Sequence, residues 1–402
     1  MLKRGTHIFL TFLFSVTLIA ASWAVFLAPD ALAAKPIRIG VAISATGHYS
    51  KSGTLTLRGY KIWQKVVNEG GGLLGRPVEF VVYDDKSDPT TGARLYEKLI
   101  TQDKVDLVLG PYSSAVTYPA STVTEKYHYP MIAAGSSSSK PWARGFKYLF
   151  QIMRVNTDAN LGVLNLAKEQ GLKTMALLWH DNPWGASIAA GTLKRAKEFG
   201  IKAVLNQKYA KGTTDFSAIL TKVKALNPDL FLENGYYPDG IALFRQIKDM
   251  DINPKMLVLN FAANFPEFAE QGKDAEEVIA YSGWERFMNT PGNKEFVALN
   301  DKMFGKGRRI DAHVAYGWMG AKVLELAVKK VGSLDREKIR DAIASLEFKG
   351  ILPGTFRVDK TGLQVGHEWV IIQWQKGKRE INWPKEVATS EFRFPFTPWR
   401  KR

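Results

Sequence analysis

From Ile37 onward, short apolar runs alternate with longer segments whose apolar residues recur at helical spacing. IRIGVAI (37–43), VEFVVYDD (78–85), VDLVLG (105–110) and YPMIAA (129–134) read as strands. Between them, GTLTLRGYKIWQKVVNE (53–69), TTGARLYEKLITQ (90–102) and the segment through STVTEKYH (121–128) read as helices. The pattern restarts after MRVNTD (153–158). LGVLNLAKEQG, GASIAAGTLKRAKEFG, DFSAILTKVKAL and GIALFRQIKDM are helical, and TMALLWHD, KAVLNQKYA, DLFLENGY and KMLVLN are strands. Near-continuous apolar strands separated by helices predict parallel sheets covered on both faces. Two successive sets, without sequence repetition, predict an α/β fold of two doubly wound lobes. A third portion from about Trp284 supplies the long helix AYGWMGAKVLELAVKKV and a late strand pair, GTFRVD with EWVIIQWQ. The tail RFPFTPWRKR has no clear period and is expected along the surface.

The first 33 residues depart from this pattern. Lys3 and Arg4 precede an apolar stretch, IFLTFLFSVTLIAASWAVFLA, and then Ala31-Leu32-Ala33, the order of a secretory signal peptide with cleavage after Ala33. The stretch is also long enough to be retained as an anchor. An exported, periplasmic protein is therefore expected. The chain has no cysteine, which rules out a thiol-linked lipid anchor and a disulfide framework. At 402 residues and 46% hydrophobic, it has ample material for packed cores. The net charge of +16 is spread along the chain rather than blocked, and no zinc-finger or RRM-type motif accompanies it, so nucleic acid is not an expected partner.

Several motifs resolve into structural readings. Gly70, Gly72 and Gly75 make a G-x-G-x-x-G, but they follow a helix and lead into a strand, the reverse of a dinucleotide-binding turn. A capping turn explains them. Nothing matches G-x-S-x-G or H-E-x-x-H, so neither a catalytic constellation nor a metal or other cofactor is expected. His180, in WHDNPWG, is expected to be a solvated loop residue.

Chemistry concentrates at strand ends. SATGHYSKSG, LGPYSSA, AAGSSSS, WHDNPWG and ENGYYPDG each close a strand and open a helix, where ligands bind in open α/β sheets. Serines there either cap helices or contact a ligand, and free helix-start N–H groups favour anions. Gly135–Ser139 could equally be read as a flexible linker by composition. Its position after a buried strand points instead to a loop that holds a ligand.

These segments, with RGYKIWQKVVNEGGGLLGRPVEFVVYDDKSDPTTG and DFSAILTKVKALNPDLFLENGYYPDGIALFRQIKDM, resemble the periplasmic solute-binding proteins of the branched-chain amino acid (Leu/Ile/Val) ABC transporters. The resemblance runs from Ile37 to about Trp383. It implies two lobes joined by three crossovers: 34–157 with 284–356, and 158–283 with 357–402. It implies a monomer that holds a small carboxylate ligand between its lobes and delivers it to a membrane ABC permease, without catalysis. Carried over by position, the first loop contributes Ser52. Ser113, Gly135 and Ser137, with Ser136 on the same tract, hold the ligand carboxylate, and Trp184 and Tyr236 supply aromatic contacts. Tyr112, Trp142 and Phe261 are expected near the cleft. The acid that pairs an α-ammonium in the family aligns with Asn260, and a neutral amide cannot replace that charge. Either Glu233 or Asp181 substitutes for it, or the ligand is not an amino acid. Hydrophobic amino acid and aromatic or other organic acid both stay open, as do a periplasmic enzyme and a ligand sensor on the same fold.

Overall fold

The computed structural model describes residues 35–305 and 310–402, so the leader and its cleavage site lie outside the described residues. Strands β1 (Ile37–Ile43), β2 (Val78–Asp84), β3 (Leu107–Leu109), β4 (Met131–Ala133) and β5 (Leu149–Gln151) form one parallel sheet, in the order β2-β1-β3-β4-β5. Helices α1 (Ser50–Glu69), α2 (Pro89–Thr101) and α3 (Ser114–Lys126) link its strands.

The second sheet has the order β12-β11-β10-β9-β8-β6-β7. Its parallel part comprises β6 (Thr174–His180), β7 (Lys202–Tyr209), β8 (Leu230–Asn234), β9 (Met256–Leu259) and β10 (Ile279–Ser282). α4 (Leu161–Glu169), α5 (Pro183–Glu198), α6 (Ser217–Leu226) and α7 (Tyr237–Asp249) alternate with these strands. The chain then leaves for α8 (Asn293–Phe304), α9 (Ala312–Val331) and α10 (Arg336–Ala344). It returns as β11 (Val370–Gln375) and β12 (Lys378–Trp383), both antiparallel to their neighbours.

α9 belongs with the first sheet because it packs along α1. A Cβ on Gly59 of α1 would strike the Val314 carbonyl of α9, so two bare glycines, Gly59 and Gly317, set how close the helices come. The chain therefore crosses between lobes after β5, after β10 and before β11. The last crossing falls later than the boundary expected at 356/357. Gly362 still accepts a hydrogen bond from the Gln151 N–H of β5 at 2.9 Å.

Two further expectations change, and a third holds. GTFRVD does not pair with EWVIIQWQ: residues 354–358 make only isolated bridges, while β11 pairs with β10 and β12. The tail runs along the surface but is anchored in the core beneath it. Phe396 and Trp399 are buried in the second-lobe core, Trp399 Nε1 donates to the Ile252 carbonyl at 2.8 Å, and Arg402 reaches Glu277 at 3.3 Å. The glycine motif ends α1 at Gly70 and turns into β2 through Gly72 and Gly75, both at positive φ, as the capping reading requires.

Candidate functional site

The first wall is built where strands of the first sheet end and helices begin. Ser113 is the N-cap residue of α3, yet its side chain makes no capping hydrogen bond. Its Oγ is buried without a hydrogen-bond partner, at the start of a helix whose first N–H groups have no acceptor within the helix. A free hydroxyl beside free amides suits an anion. The adjacent Ser114 has a different task. Its Oγ accepts from Ser136 Oγ at 3.0 Å and from the Ser138 N–H at 3.2 Å, which fastens the serine loop to α3.

That loop is no linker, because Gly135 through Ser138 are all buried. The Ser136 carbonyl accepts from Gln151 Nε2 at 3.2 Å, and the Ser137 carbonyl accepts from the Asn156 N–H at 2.8 Å. Ser138 Oγ donates to the Pro183 carbonyl of the other lobe at 3.0 Å. A Cβ on Gly135 would stand 2.5 Å from Tyr112 Cδ2, so this glycine makes room for the Tyr112 ring. The Tyr112 phenol in turn meets the hydroxyl of buried Ser52 on α1.

The second wall starts at α5 and α7, whose helix starts are satisfied internally. Asn182 Oδ1 accepts from the Gly185 N–H at 2.8 Å, and the Tyr236 N–H donates to Asp239 Oδ2 at 3.4 Å. Asn182 Nδ2 donates to Tyr236 Oη at 3.1 Å. Aromatic rings close the space between the walls. Tyr236 lies 4.8 Å from Tyr49, 5.4 Å from Trp184 and 5.5 Å from Phe261, centroid to centroid. His313, on α9, stands 5.4 Å from Tyr112 and 5.7 Å from Phe261. Asp311 Oδ2 holds His313 Nδ1 at 3.1 Å, and His313 Nε2 is buried without a partner. Burial raises the pKa of Tyr49, Tyr112 and Tyr236, so these phenols stay protonated and can donate. The lobes touch in this conformation, where Lys51 pairs with Glu267 at 3.1 Å.

Neither acid expected to replace the missing charge at Asn260 offers an ionised carboxylate to this cage. Asn260 is fully buried, its Nδ2 donates to Asn160 Oδ1 at 2.8 Å and Asn234 Oδ1 at 2.6 Å, and its Oδ1 accepts from the Tyr281 N–H at 3.3 Å. Both amide hydrogens are thus used inside the second lobe. Glu233 Oε1 accepts from Tyr209 Oη at 2.6 Å, and burial pushes its carboxyl up to about 8, which keeps it neutral at pH 7. Asp181 is a surface residue paired with Lys208 at 2.8 Å, so it cannot serve as the substitute acid.

The structure brings Ser52, Tyr112, Ser113, Gly135, Ser136, Ser137, Trp184, Tyr236 and Phe261 to the facing strand ends. It turns Asn260 inward, and it puts Trp142 into the first-lobe core with Nε1 on the Leu149 carbonyl at 3.1 Å. His180 is not solvated. It is 1% exposed, its ring stands 5.0 Å from Tyr236 and 5.4 Å from His48, and neither ring nitrogen has a hydrogen-bond partner. Its Cα sits at the end of β6, and the lobe contact covers what would otherwise be a solvated strand end. Tyr49, His48, Asn182 and His313 were not singled out by sequence reasoning. The first three lie in loops marked as strand ends, whereas nothing in the local sequence links His313 to the cleft.

A two-lobed α/β receptor with its polar and aromatic groups at facing strand ends is a binding fold, and comparison with known proteins agrees. The chain belongs to the periplasmic binding protein family, whose model matches residues 36–379. It is a substrate-binding protein of the ABC transporter type and not an enzyme. The leucine-, isoleucine-, valine-, threonine- and alanine-binding protein of Pseudomonas aeruginosa is 26% identical over 377 residues, covering 93% of this chain and 98% of that one. The branched-chain amino acid transporter substrate-binding protein LivJ of Streptococcus pneumoniae, in complex with isoleucine, superposes with a TM-score of 0.76 at 25% identity, covering 90% of this chain and all of that one. A solute-binding protein of an ABC transporter from R. palustris in complex with benzoate superposes at 0.78 with 19% identity, covering 90% and 98%. At that identity the likeness concerns the fold alone. Among the described residues, no helix is long and apolar enough to cross a membrane.

Proposed function

We propose that this chain is the periplasmic receptor of an ABC importer and that it captures a small aromatic carboxylate. The carboxylate would rest on Ser113 and the α3 N-terminus, and the ring would lie among Tyr49, Tyr112, Trp184, Tyr236 and Phe261. One observation carries the ligand class. The cage is aromatic, and the position expected to pair an α-ammonium is an amide already committed to Asn160 and Asn234. An ammonium buried there without a partner would be strongly disfavoured. The protonated phenols and His313 Nε2 instead suit a neutral or hydroxylated ring. Relatives of this fold hold isoleucine in one case and benzoate in another, so the side chains decide. Ligand between the lobes would favour the closed form, which a permease can distinguish from the open one.

A second reading, a hydrophobic amino acid, is favoured by the curated Pseudomonas aeruginosa relative and by Glu233 Oε2, which is buried without a partner. An ammonium arriving near Glu233 would have to draw off its proton first. Mass spectrometry of the compound released from gently purified protein, followed by calorimetry with benzoate, hydroxybenzoates, leucine and phenylalanine, separates the two. Saturable binding of the aromatic acids with no heat from either amino acid is the expected result. Tight leucine binding lost in Glu233→Gln would establish the second reading instead.

A further inference from the structure

Behind the aromatic cage, at the line where the lobes meet, lies a group of polar side chains that ligand binding does not use. His48 comes from the β1–α1 loop of the first lobe, whereas His180 ends β6 and Asp239 lies in the first turn of α7, both in the second. One nitrogen of each imidazole and one oxygen of the carboxylate all lie within 4.8 Å of one another. We propose that His48, His180 and Asp239 form a binding site for a divalent transition-metal ion, zinc by its donor set, that bridges the two lobes.

The alternative is a plain ion pair between His48 and Asp239, and two features count against it. His48 Nε2 stands 3.4 Å from Asp239 Oδ2 and forms no hydrogen bond, although both groups are largely buried. That separation is longer than a charge-assisted hydrogen bond and close to the edge of a tetrahedron around zinc, about 3.3 Å for bonds of about 2.0–2.1 Å, although the three donors, within 4.8 Å of one another, must draw closer to share one ion. The second feature is His180. Both of its nitrogens are buried with no partner, and an ion pair between the other two residues leaves them so. Buried polar groups are rarely left unpaired, and a metal ion gives one of these nitrogens a bond.

The chemistry of the donors agrees with the geometry. A metal takes a neutral imidazole nitrogen, and both nitrogens of buried His180 have no hydrogen-bond partner to compete for them. Two imidazoles and one carboxylate suit a borderline first-row ion and are poor ligands for calcium or magnesium, which favour all-oxygen sites. Asp239 supplies the one negative charge. Lys211, nearby on the second lobe, opposes the ion and limits its affinity. Because the ligands come from both lobes, the ion would hold the closed form.

The inference rests on the two-lobe architecture and not on the ligand class. Zinc is therefore titrated with no organic compound present, and failure of aromatic-acid binding would leave this result untouched. The mature, untagged protein is stripped with a chelator and titrated with zinc sulfate by calorimetry and thermal melting. One equivalent should bind and raise the melting temperature, whereas magnesium and calcium should do neither. His48→Gln and His180→Asn, one from each lobe, should each weaken zinc binding by about 100-fold, at least the loss seen on removing an outer-shell partner. His128→Gln removes an exposed histidine beside Glu337, 3.1 Å away on the far side of the first lobe, and should bind as wild type does. A wild type without one-to-one binding overturns the proposal before any variant is made. So does full retention in either cleft variant, or loss in His128→Gln.

Discussion

Ser113 and Ser114 are neighbours with the same side chain, and the structure gives them opposite roles that one experiment separates. Ser113 Oγ is buried and makes no well-formed hydrogen bond within the protein, although the Tyr49 and Tyr236 hydroxyls lie beside it. Replacing it with alanine removes a hydroxyl that contributes little to folding, so stability should stay within about 0.5 kcal/mol of wild type. Its loss should be felt by the ligand. A hydrogen bond to a carboxylate is worth about 1.5–3 kcal/mol, which corresponds to about 10- to 160-fold in Kd. Ser114→Ala should do the reverse. It leaves the Ser136 hydroxyl and the Ser138 N–H buried without their acceptor, at a cost of about 1–3 kcal/mol in stability. Its effect on Kd should be smaller and should follow from loosening of the serine loop. Urea unfolding measures the stabilities, and calorimetry with the carboxylate recovered from the protein measures the affinities. Wild-type affinity in a folded Ser113→Ala protein would place the anion elsewhere. Destabilisation equal to that of Ser114→Ala would mean that Ser113 serves the fold after all.

Two other predictions concern the second lobe. Burial raises the Glu233 carboxyl from 4.5 to about 8, so the unfolded chain loses that proton first, and stability falls as pH rises through this window. Glu233→Gln should remove about 3–5 kcal/mol of that decline, read from urea midpoints at pH 5 and pH 9, and an unchanged slope would refute the assignment. Trp399→Ala should lower stability by about 3–5 kcal/mol, because the ring fills the second-lobe core. Ligand affinity should not change, since the tail is remote from the cleft, and a stable variant would show that the tail docks only loosely.

How far the chain could be read before its structure depended on the range of the signal. The βα alternation is local, so both lobes and most of their elements follow from periodicity. β5 and β10 are no shorter than β3 and β9, but they do not stand in the βα alternation that marks those, and it is pairing with a neighbouring strand that makes them strands. The tail escapes a periodicity reading for a related reason. Phe396 and Trp399 have no helical or strand spacing, and only the groove that receives them makes them core residues. At the cleft, strand ends with serines and aromatics point to the loops that face one another, but sequence alone does not say whether a hydroxyl caps its own helix. Asn182 does cap, and Ser113 does not.

Asn260 shows most clearly where a position-by-position reading stops. Aligned alone, it is a missing charge in a binding site, and the natural question is which acid takes its place. In the fold it belongs to a cluster of three amides. Asn160, 100 residues earlier, and Asn234, 26 residues earlier, each accept one of its two hydrogens. Strand parity then separates the nearest candidate acid from this cluster. Glu233 and Asn234 are consecutive on β8, so their side chains leave opposite faces of the sheet: Asn234 joins the amide cluster and Glu233 turns to Tyr209. A carboxylate at 260 would meet two oxygens that now accept hydrogen bonds, and both partner amides would have to rotate to receive it. The neutral residue at 260 is therefore one part of a neutral lattice, and a change of ligand class would require the three amides to change together.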